Sequence, residues 1–338
     1  MAPEQPYLTW GVLSTANIGR KVVVPAIVAS SNGVLGAVAS RDAGQARDFA
    51  DAFGADVRAY GRYEDLLDDP TIDAVYVPLP NALHEDWTVA ALEAGKHVLC
   101  EKPLAPTAAA CRRMGEAAEA AERLLMEAFM YRFHPRTRAV AKLVRDGAIG
   151  RPRQVHAAFA FALRRPDDVR WSRALAGGAL LDVGSYAVDA ARRLLGEEPV
   201  EASAFATYAE PGVDGELVGQ LRFASGALAT VACALTLPRL ERVQVVGDAG
   251  RIDVDRAFVG GREALAYDLT GADGVTARHV VDGVDQYRLM VEAFADRVLG
   301  RALDAPVSDA AEAARTVAVL EALAASAVRG GAPVAIAR

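Results

Sequence analysis

The sequence predicts an α/β protein of two domains: a doubly wound parallel sheet in residues 1–128, and an α+β domain with a large open, mostly antiparallel sheet in residues 129–338. Three observations support this fold class. The chain has 338 residues, which suggests about two domains of ~150 residues each. Up to residue 128, short apolar runs alternate with helical patterns. Beyond it, longer runs of alternating polar and apolar residues are separated by turn residues.

The first domain opens with a strand at 7–13, a tight turn, a helix at 20–30 and a strand at 34–39, which together form a βαβ unit. Its crossover is expected to be right-handed. The same alternation continues through the rest of the domain. The further predicted elements are helices at 44–53, 63–67, 85–94 and 107–121 and strands at 74–77, 97–100 and 124–128.

The second domain begins with a helix at 135–145, and a second helix at 181–195 interrupts its series of strands. Two closing helices, at 286–299 and 309–327, could pack back on the first domain. The predicted strands lie at 153–163, 200–208, 216–223, 227–235, 241–246 and 251–254.

Composition narrows the class of protein. The net charge of −7 argues against binding to nucleic acid or to an anionic membrane surface. The apolar runs are far shorter than a bilayer requires, and the first residues do not resemble a signal peptide. Cys100, Cys111 and Cys233 are scattered, which predicts reduced thiols and no metal site. We therefore expect a cytoplasmic protein with a small-molecule ligand.

The turn after the first strand is a degenerate form of the glycine-rich dinucleotide fingerprint. Ser14 and Ala16 stand where the first two glycines belong, and only Gly19 is in place. Both replacements are small, so that backbone amides could still approach a pyrophosphate at the start of the helix. An ordinary strand–helix turn explains this stretch nearly as well. The predicted cofactor contacts are Ser14, Thr15, Ala16, Asn17 and Ile18.

The end of the second strand strengthens the cofactor prediction. An acidic residue at this place in a Rossmann domain binds the ribose 2′-hydroxyl of NAD. Here the strand ends in Ser40 and Arg41, and a hydroxyl with a guanidinium suits the 2′-phosphate of NADP. The sequence therefore favours NADP(H) over NAD(H). Asp42 is an alternative ribose ligand, displaced by a residue or two.

A proline-rich loop follows the strand at 74–77. Pro78 and Leu79 belong to a rigid segment at the carboxyl edge of the sheet, and Asn81 and His84 are polar groups that could orient a nicotinamide or a hydroxylated substrate. We assign all four to the cofactor site. A helix cap is an alternative for Asn81, and a surface position is an alternative for His84.

The next strand ends in Glu101-Lys102-Pro103. A lysine at the mouth of a parallel strand lies where open α/β sheets bind ligands, and the following proline restricts the backbone of Lys102. We predict that Glu101 and Lys102 contact the cofactor and that Lys102 also contacts the substrate. Taken alone, the tripeptide favours a helix-capping loop with a solvated lysine, and the rest of the chain supports the ligand site instead.

The second candidate segment is residues 177–189. Two glycines precede a helix on which Asp182, Tyr186 and Asp189 share one face. Lys102, Asp182 and Tyr186 together supply a cation, an anion and a phenol for proton transfer, and a nearby lysine would lower the pKa of the phenol from ~10. We predict these three as the catalytic residues. Asp182 as a structural cap is the alternative, and for Asp189 we prefer a structural role.

At this point the residues resemble the glucose–fructose oxidoreductase, inositol dehydrogenase and MocA (Gfo/Idh/MocA) family, over nearly the whole chain. The most specific marks are Glu101-Lys102-Pro103 and the segment from Gly177 to Tyr186. The segment from Met126 to Pro135 is similar to the branch of NADP-dependent xylose and dihydrodiol dehydrogenases. Many members carry His where Tyr186 stands, but that branch has Tyr, and it also shares the degenerate glycine turn.

The resemblance implies a Rossmann domain, a cis peptide bond before Pro103, Lys102 as the catalytic lysine, and homodimers or homotetramers formed through the C-terminal sheet. It also implies that Arg170 and Trp171, and less strongly Tyr287, line the substrate cavity. Packing at the domain interface explains these three residues equally well.

These observations lead to a first hypothesis and two alternatives. The first is an NADP(H)-dependent oxidoreductase that transfers hydride to or from a sugar or polyol carbon. The second is a 3-ketoreductase acting on a nucleotide-linked keto-sugar, whose diphosphate would be bound by Arg164, Arg165 and Arg170. The third is a non-catalytic dinucleotide sensor, against which the joint presence of Lys102, Asp182 and Tyr186 argues.

Overall fold

The computed structural model describes residues 7–209, 212–301 and 308–336. These residues form two compact units. The first draws its described residues from Met1–Ala105, Ala109–Phe133 and Asp285–Ala313, and the second from Pro106–Ala108, His134–Val284 and Ala314–Arg338. The first unit therefore extends past the predicted boundary at residue 128 and takes in a segment from near the end of the chain.

The strands are β1 (Leu8–Leu13), β2 (Gly33–Ala39), β3 (Arg58–Tyr60), β4 (Ala74–Val77), β5 (His97–Cys100), β6 (Leu125–Glu127), β7 (Pro152–Ala160), β8 (Pro199–Ala209), β9 (Val213–Phe223), β10 (Leu228–Ala234), β11 (Leu240–Gly247), β12 (Gly250–Asp255), β13 (Leu265–Gly271), β14 (Thr276–Val281) and β15 (Val334–Ala335). The α-helices are α1 (Val24–Val28), α2 (Ala43–Asp51), α3 (Tyr63–Leu67), α4 (His84–Glu93), α5 (Ala108–Ala120), α6 (Pro135–Arg145), α7 (Ser185–Leu195), α8 (Gln286–Val298) and α9 (Ala310–Val328).

The first unit contains a parallel sheet with the strand order β3-β2-β1-β4-β5-β6. The residues of β4 are fully buried, as expected for a strand covered on both faces. The strand order reverses between β1 and β4, and the carboxyl ends of the strands at such a switch point form the usual ligand crevice. The predicted doubly wound parallel sheet is confirmed.

Helix α8 belongs to the first unit although it lies near the end of the chain. Phe294 packs on Trp10 of β1, with ring centroids 4.9 Å apart. The side-chain amide of Asn32 donates to the carbonyl oxygen of Glu292 at 2.9 Å and to the carboxylate of Asp296 at 2.8 Å. These contacts join α8 to the start of the parallel sheet.

The second unit is built on a sheet with the order β14-β13-β12-β11-β7-β10-β9-β8-β15. The described strand pairs are antiparallel except β7 with β10. Helix α7 packs on β7 and β10, so that one face of the sheet is buried. The other face exposes four apolar side chains, Phe205, Val218, Leu228 and Leu240, of which Phe205 and Val218 are paired across adjacent strands. The mostly antiparallel second sheet is also confirmed.

Four strands were not anticipated from the sequence, β3, β13, β14 and the two-residue β15. β3 has three residues and lies at the sheet edge, so it is too short to show a period. β14 is exposed on both faces, and its side chains therefore show no alternation of polar and apolar residues. In the described part of the chain, no helix is long and apolar enough to cross a membrane. Among those same residues, no cluster of three or more His, Cys, Asp or Glu side chains could hold a metal ion.

Candidate active site

The turn after β1 has the backbone geometry of the glycine-rich dinucleotide turn, although Ser14 and Ala16 replace its first two glycines. Ser14 has φ of 134°, a conformation that normally favours glycine. The amide of Ser14 donates to the Ala39 carbonyl at 3.0 Å, and the Ser14 hydroxyl accepts from the Ala16 amide at 2.9 Å. A π-helical turn, Gly19–Val23, then leads into α1. The serine hydroxyl therefore stabilises the turn that a glycine would otherwise allow.

The remaining predicted residues of this turn are more open. Thr15 and Ile18 are half-buried, and Asn17 is exposed. The Thr15 hydroxyl lies 3.4 Å from the side-chain oxygen of Gln45 in α2. The turn thus leaves polar groups accessible at the start of the helix, where an anion is favoured.

The three polar residues that follow β2, Ser40, Arg41 and Asp42, have different roles. Asp42 caps α2, where its carboxylate accepts from the Gln45 amide at 3.0 Å. Ser40 is buried, and its hydroxyl accepts from the Asp42 amide at 3.3 Å. Arg41 is exposed, and its guanidinium lies near the phenol of Tyr63. Burial raises the pKa of Tyr63, and Arg41 opposes that rise. Since Asp42 is used as a helix cap, Arg41 is the charged group left open at this strand end.

His84 has a different place from the one expected. It is fully buried, with Nε2 2.8 Å from the Leu79 carbonyl oxygen and Nδ1 3.0 Å from the Pro103 carbonyl oxygen. Burial lowers the pKa of the imidazole, and the carbonyl oxygens oppose that effect. The surface position considered for His84 is wrong, and both ring nitrogens face the main chain instead of a ligand. His84 ties the Pro78–Asn81 loop to the Lys102–Pro103 loop.

The other members of the loop after β4 differ in burial. Pro78 and Leu79 are buried, whereas Asn81 is half-buried. Asn81 begins a short 3₁₀ turn, Asn81–Leu83, and its carbonyl accepts from the His84 amide. The loop is therefore rigid, as its prolines predict, and it lies at the carboxyl end of β4.

The Glu101-Lys102-Pro103 loop is held from both sides within the first unit. The peptide bond between Lys102 and Pro103 is cis, as the resemblance implied. The Tyr76 hydroxyl donates to Glu101 at 2.6 Å, and the amide of Lys102 donates to the other Glu101 oxygen at 3.3 Å. Burial raises the pKa of Tyr76, and the Glu101 charge adds to that effect. Tyr76 therefore remains a hydrogen-bond donor to Glu101.

Glu127 supports the same loop from β6 and was not singled out from the sequence. Its carboxylate is buried and accepts from the Leu104 amide at 2.9 Å and from the Ser308 hydroxyl at 2.7 Å. The sequence signal that could have identified Glu127 is an acidic residue at the end of an otherwise apolar predicted strand. Tyr287 also belongs to this unit and lies in the first turn of α8, where its amide donates to the Asp285 carboxylate at 3.1 Å.

In the second unit, Arg170 is the centre of an ion-pair cluster. Its Nε lies 2.6 Å from Asp182 and its Nη1 lies 3.1 Å from Asp168. Asp168 also pairs with Arg165 at 2.6 Å. These carboxylates strongly raise the pKa of Arg170, which therefore stays charged. The predicted residues Arg170 and Asp182 are brought together.

Asp168 was missed, although a local signal existed. It caps the 3₁₀ turn Val169–Trp171, where its carboxylate accepts from the Arg170 amide at 3.2 Å. Asp two residues before Arg is compatible with that cap. Trp171 is half-buried in the same turn, beside Arg170 in sequence.

Asp182 and Tyr186 lie on one continuous helical segment. Asp182 is in a π-helical turn, Leu180–Gly184, which runs into α7. Tyr186 is in the first turns of α7 and is buried, and its ring packs at 5.3 Å from both Phe159 and Phe258. π-helical turns are rare and occur often at functional sites. Asp189, further along α7, is fully buried, in keeping with the structural role preferred for it.

The aromatic support of Tyr186 is itself held by a buried acid. Phe159 and Phe258 stack at 5.4 Å. Glu241 accepts from the amides of Phe258 and Val259 at 3.1 and 2.6 Å. Neither Phe258 nor Glu241 was found from the sequence, because their contacts join segments far apart along the chain.

Two family models match the chain. Residues 8–129 match the oxidoreductase family with an NAD-binding Rossmann fold, and residues 137–253 match the GFO/IDH/MocA C-terminal domain. The chain belongs to the Gfo/Idh/MocA family. The resemblance stated from the motifs is therefore confirmed, and the family shares the two sheets described above.

Relatives in the family act on sugars. D-xylose 1-dehydrogenase (NADP(+)) 2 of Haloferax volcanii is 40% identical over 96% of this chain and 99% of that protein. The aldose-aldose oxidoreductase of Caulobacter crescentus, solved with glycerol, has a TM-score of 0.88 at 30% identity, covering 97% of this chain and 99% of that one.

A second solved relative is a 3-ketoreductase of Actinomadura kijaniata in complex with NADP and TDP-benzene. Its TM-score is 0.88 at 30% identity, covering 95% of this chain and 98% of that one. The same enzyme has also been solved with a tyrosine replaced by phenylalanine and with a lysine replaced by alanine.

Proposed function

We propose that this protein is an NADP(H)-dependent oxidoreductase that transfers hydride between the nicotinamide and a carbon of a free sugar or polyol. The proposal depends on two features that occur together in this chain. The Glu101-Lys102-Pro103 loop is held by hydrogen bonds to Glu101, and one helical segment carries both Asp182 and Tyr186. The NADP-dependent xylose dehydrogenase and the aldose-aldose oxidoreductase among the relatives support the same class of substrate.

The first unit fits NADP(H) at two places. Ser14 adopts a glycine-like φ, so that amides at the start of the following helix are available to a pyrophosphate. Arg41 is exposed at the end of β2, and its guanidinium suits a 2′-phosphate. Asp42, the acid that could have favoured NAD, is occupied as a helix cap. When bound, NADP(H) would accept or supply the hydride.

The protein's own groups would handle the proton. Tyr186 takes the proton of the substrate hydroxyl during oxidation and returns one during reduction. Lys102, as a cation, would lower the cost of the phenolate. Asp182, with its charge compensated by Arg170, would hold a second substrate hydroxyl. An aldose oxidised at its anomeric carbon in this way would give a lactone.

The charges around Arg170 favour a free sugar over a nucleotide-linked one. Two of the three arginines that could bind a diphosphate are already paired, Arg170 with Asp168 and Asp182, and Arg165 with Asp168. A diphosphate brought here would meet two carboxylates as well as the guanidiniums. Uncharged hydroxyl groups can use both kinds of partner without this repulsion.

A 3-ketoreductase acting on a nucleotide-linked keto-sugar is the second candidate. The solved 3-ketoreductase with TDP-benzene supports it through its likeness over the whole chain. Arg164 is exposed and carries a charge that the cluster does not use. A non-catalytic dinucleotide sensor is the third candidate. A sensor of this kind would not require the hydrogen bonds that hold the Lys102 loop in place.

We also propose that the protein is cytoplasmic and forms a homodimer or homotetramer through its second sheet. Cys100, Cys111 and Cys233 are buried free thiols, which suits a reducing compartment. The open sheet face exposes Phe205 to 69% and Val218 to 61%, and these residues are paired neighbours on adjacent strands. Exposed apolar side chains grouped on one sheet face are typical of an interaction surface.

The experiment is a screen of aldoses, polyols and dTDP-keto-sugars with NADP(H) and NAD(H), following the absorbance of the reduced nicotinamide. Turnover of a free aldose or polyol with NADP(H) is expected. Turnover of only the dTDP-keto-sugar would replace the first candidate with the second. Binding of NADPH without turnover of any of these compounds would favour the sensor.

A further inference from the structure

We infer that Asp214, at the start of β9, is a positioning residue for the helix that presents Asp182 and Tyr186. The inference rests on the proposed function, because it assigns Asp214 a task in the same site. Asp214 lies 32 residues after Asp182 in the sequence and belongs to a sheet strand, so no local motif points to it.

The carboxylate of Asp214 caps the start of this helical segment. It accepts from the Leu180 amide at 2.6 Å, and the Ala179 amide lies near the same carboxylate. Those amides have no acceptor within the helix, since the first amides of any helix lack an intrahelical partner. Ala179 itself has no side-chain acceptor to offer. A sheet strand therefore supplies the cap that the helix sequence lacks.

The two glycines before the helix allow the carboxylate to reach its place. Gly178 has φ of 111°, and a Cβ placed on it would lie 2.1 Å from Asp214 Oδ1. A Cβ on Gly177 would lie 2.3 Å from the Arg170 carbonyl oxygen. The Gly-Gly pair is thus the space into which the Asp214 carboxylate and the Arg170 main chain fit.

Main-chain hydrogen bonds of the Gly177–Gly178 turn connect the Asp214 cap to Arg170 and Asp182 of the ion-pair cluster. The Gly178 amide donates to the Arg170 carbonyl at 2.8 Å, and the Asp182 amide donates to the Gly178 carbonyl at 3.2 Å. Asp182 then pairs with the Arg170 side chain. If the cap were removed, the Gly177–Gly178 turn, and with it the register of Asp182 against Arg170, would lose its anchor on the sheet.

Within the part of the chain that the structure describes, no cation pairs with the Asp214 carboxylate. Burial raises its pKa to about 6, while the nearby main-chain amides, first among them that of Leu180, oppose the rise. Cys233 on β10 is a neighbouring titratable group, and its pKa is raised by burial, by Asp214 and by Asp182. A buried carboxylate of this kind reduces the stability of the folded protein, and such a destabilising group is typical of a functional role.

The experiment compares Asp214→Asn and Asp214→Leu with Glu216→Gln as the matched control. Glu216 lies on the same strand, two residues further on, and accepts from the Thr236 hydroxyl instead of from the helix. Asp214→Asn keeps one acceptor oxygen and should lower kcat/KM for the sugar about tenfold, and Asp214→Leu should lower it by about a hundredfold. The Kd for NADPH should stay within about twofold of the wild-type value, because the cofactor residues belong to the first unit.

Amide hydrogen exchange of Ala179, Leu180 and Asp182 provides a reading of the cap that needs no turnover. Exchange should accelerate at least tenfold in both Asp214 variants and not in Glu216→Gln. Unchanged exchange, or kinetics equal to those of Glu216→Gln, would overturn the inference. If the wild-type protein turns over no sugar, the proposed function fails, while accelerated exchange would still support Asp214 as the residue that holds this helix.

Discussion

The two units present their candidate groups by different means. In the first unit, Arg41 and Lys102 each follow a strand of one parallel sheet directly, so the strands themselves bring them to a common edge. In the second unit, Arg170, Asp182 and Asp214 come from a loop, a helix and a strand that are separated in sequence. The first arrangement follows from the topology of the sheet, and the second depends on individual polar contacts.

This difference has a consequence for robustness. A group at a strand end is positioned by many backbone hydrogen bonds and buried apolar contacts, so single substitutions nearby change its place little. A group in a polar cluster is positioned by a few side-chain contacts, and loss of one leaves buried partners unsatisfied. We therefore expect substitution of Lys102 in the first unit to remove a group that takes part in the reaction. Substitutions in the Arg170 cluster of the second unit should instead displace the groups that remain.

Replacement of Lys102 should have the largest effect. Lys102→Ala should lower kcat by about a thousandfold, within the range of ~10²–10⁴ for a group that assists proton transfer. The Kd for NADPH, measured by fluorescence titration, should change little because the backbone bracing of the loop remains. Lys142→Ala is the control, since Lys142 is exposed and pairs only with Asp146 among its described ion pairs. Equal activity of the two variants would remove Lys102 from the mechanism.

The second prediction concerns the pH dependence of stability at Asp214. Its pKa is raised from 3.8 to about 6 on folding, so between these values the folded protein binds more protons than the unfolded chain. The contribution of Asp214 to the free energy of unfolding is therefore most favourable below pH 3.8 and is lost as the pH rises through 6. The loss is at most about 3 kcal/mol for a shift of roughly two pH units.

Urea unfolding of wild type and Asp214→Asn between about pH 4 and about pH 8 measures this effect. The stability of the wild type relative to the variant should fall as the pH rises and should level off above pH 7. A difference that instead grows in favour of the wild type with rising pH would show that the amides of the cap outweigh burial.

Tyr186 should have a smaller catalytic effect than Lys102, because water can replace part of its proton transfer. Tyr186→Phe should lower kcat about a hundredfold and leave the melting temperature nearly unchanged, since the packing on Phe159 and Phe258 is kept. Tyr267→Phe is the control, a buried tyrosine of the same unit that stacks on His279. A Tyr186→Phe enzyme with wild-type kcat would move the acid–base role to another group.

The smallest effect is expected at the cofactor end. Arg41→Ala should raise KM for NADP about tenfold, equivalent to ~1.4 kcal/mol, and leave KM for NAD unchanged. Asp42→Asn keeps a helix-capping side chain and serves as the control. A wild-type preference for NAD, or an equal loss with both cofactors, would contradict the role given to Arg41.

Much of the first unit's site could be predicted, because hydrophobic patterning places strand ends. The strand that precedes Glu101 and the loop that follows Val77 were placed correctly. His84 was placed in the right loop but given the wrong environment. Its burial depends on the Pro103 carbonyl, which lies 19 residues away.

In the second unit, the helix with Asp182 and Tyr186 was located from the sequence, but its supports were not. Asp214, Phe258 and Glu241 approach it from other strands and loops, and their patterns along the chain are those of ordinary sheet residues. Side-chain contacts between distant segments leave no periodic trace in the sequence.

By itself, the sequence of this protein determined the two sheets, the family and the position of Lys102. Each of these follows from local patterning, from the right-handed βαβ connection or from a contiguous motif. Only the tertiary structure decided that Asp42 caps a helix, that His84 ties two loops together, that Arg170 is shared by two carboxylates and that Asp214 anchors the helix of Tyr186. Most of these roles depend on hydrogen-bond partners distant in sequence, which become defined only when the chain is folded.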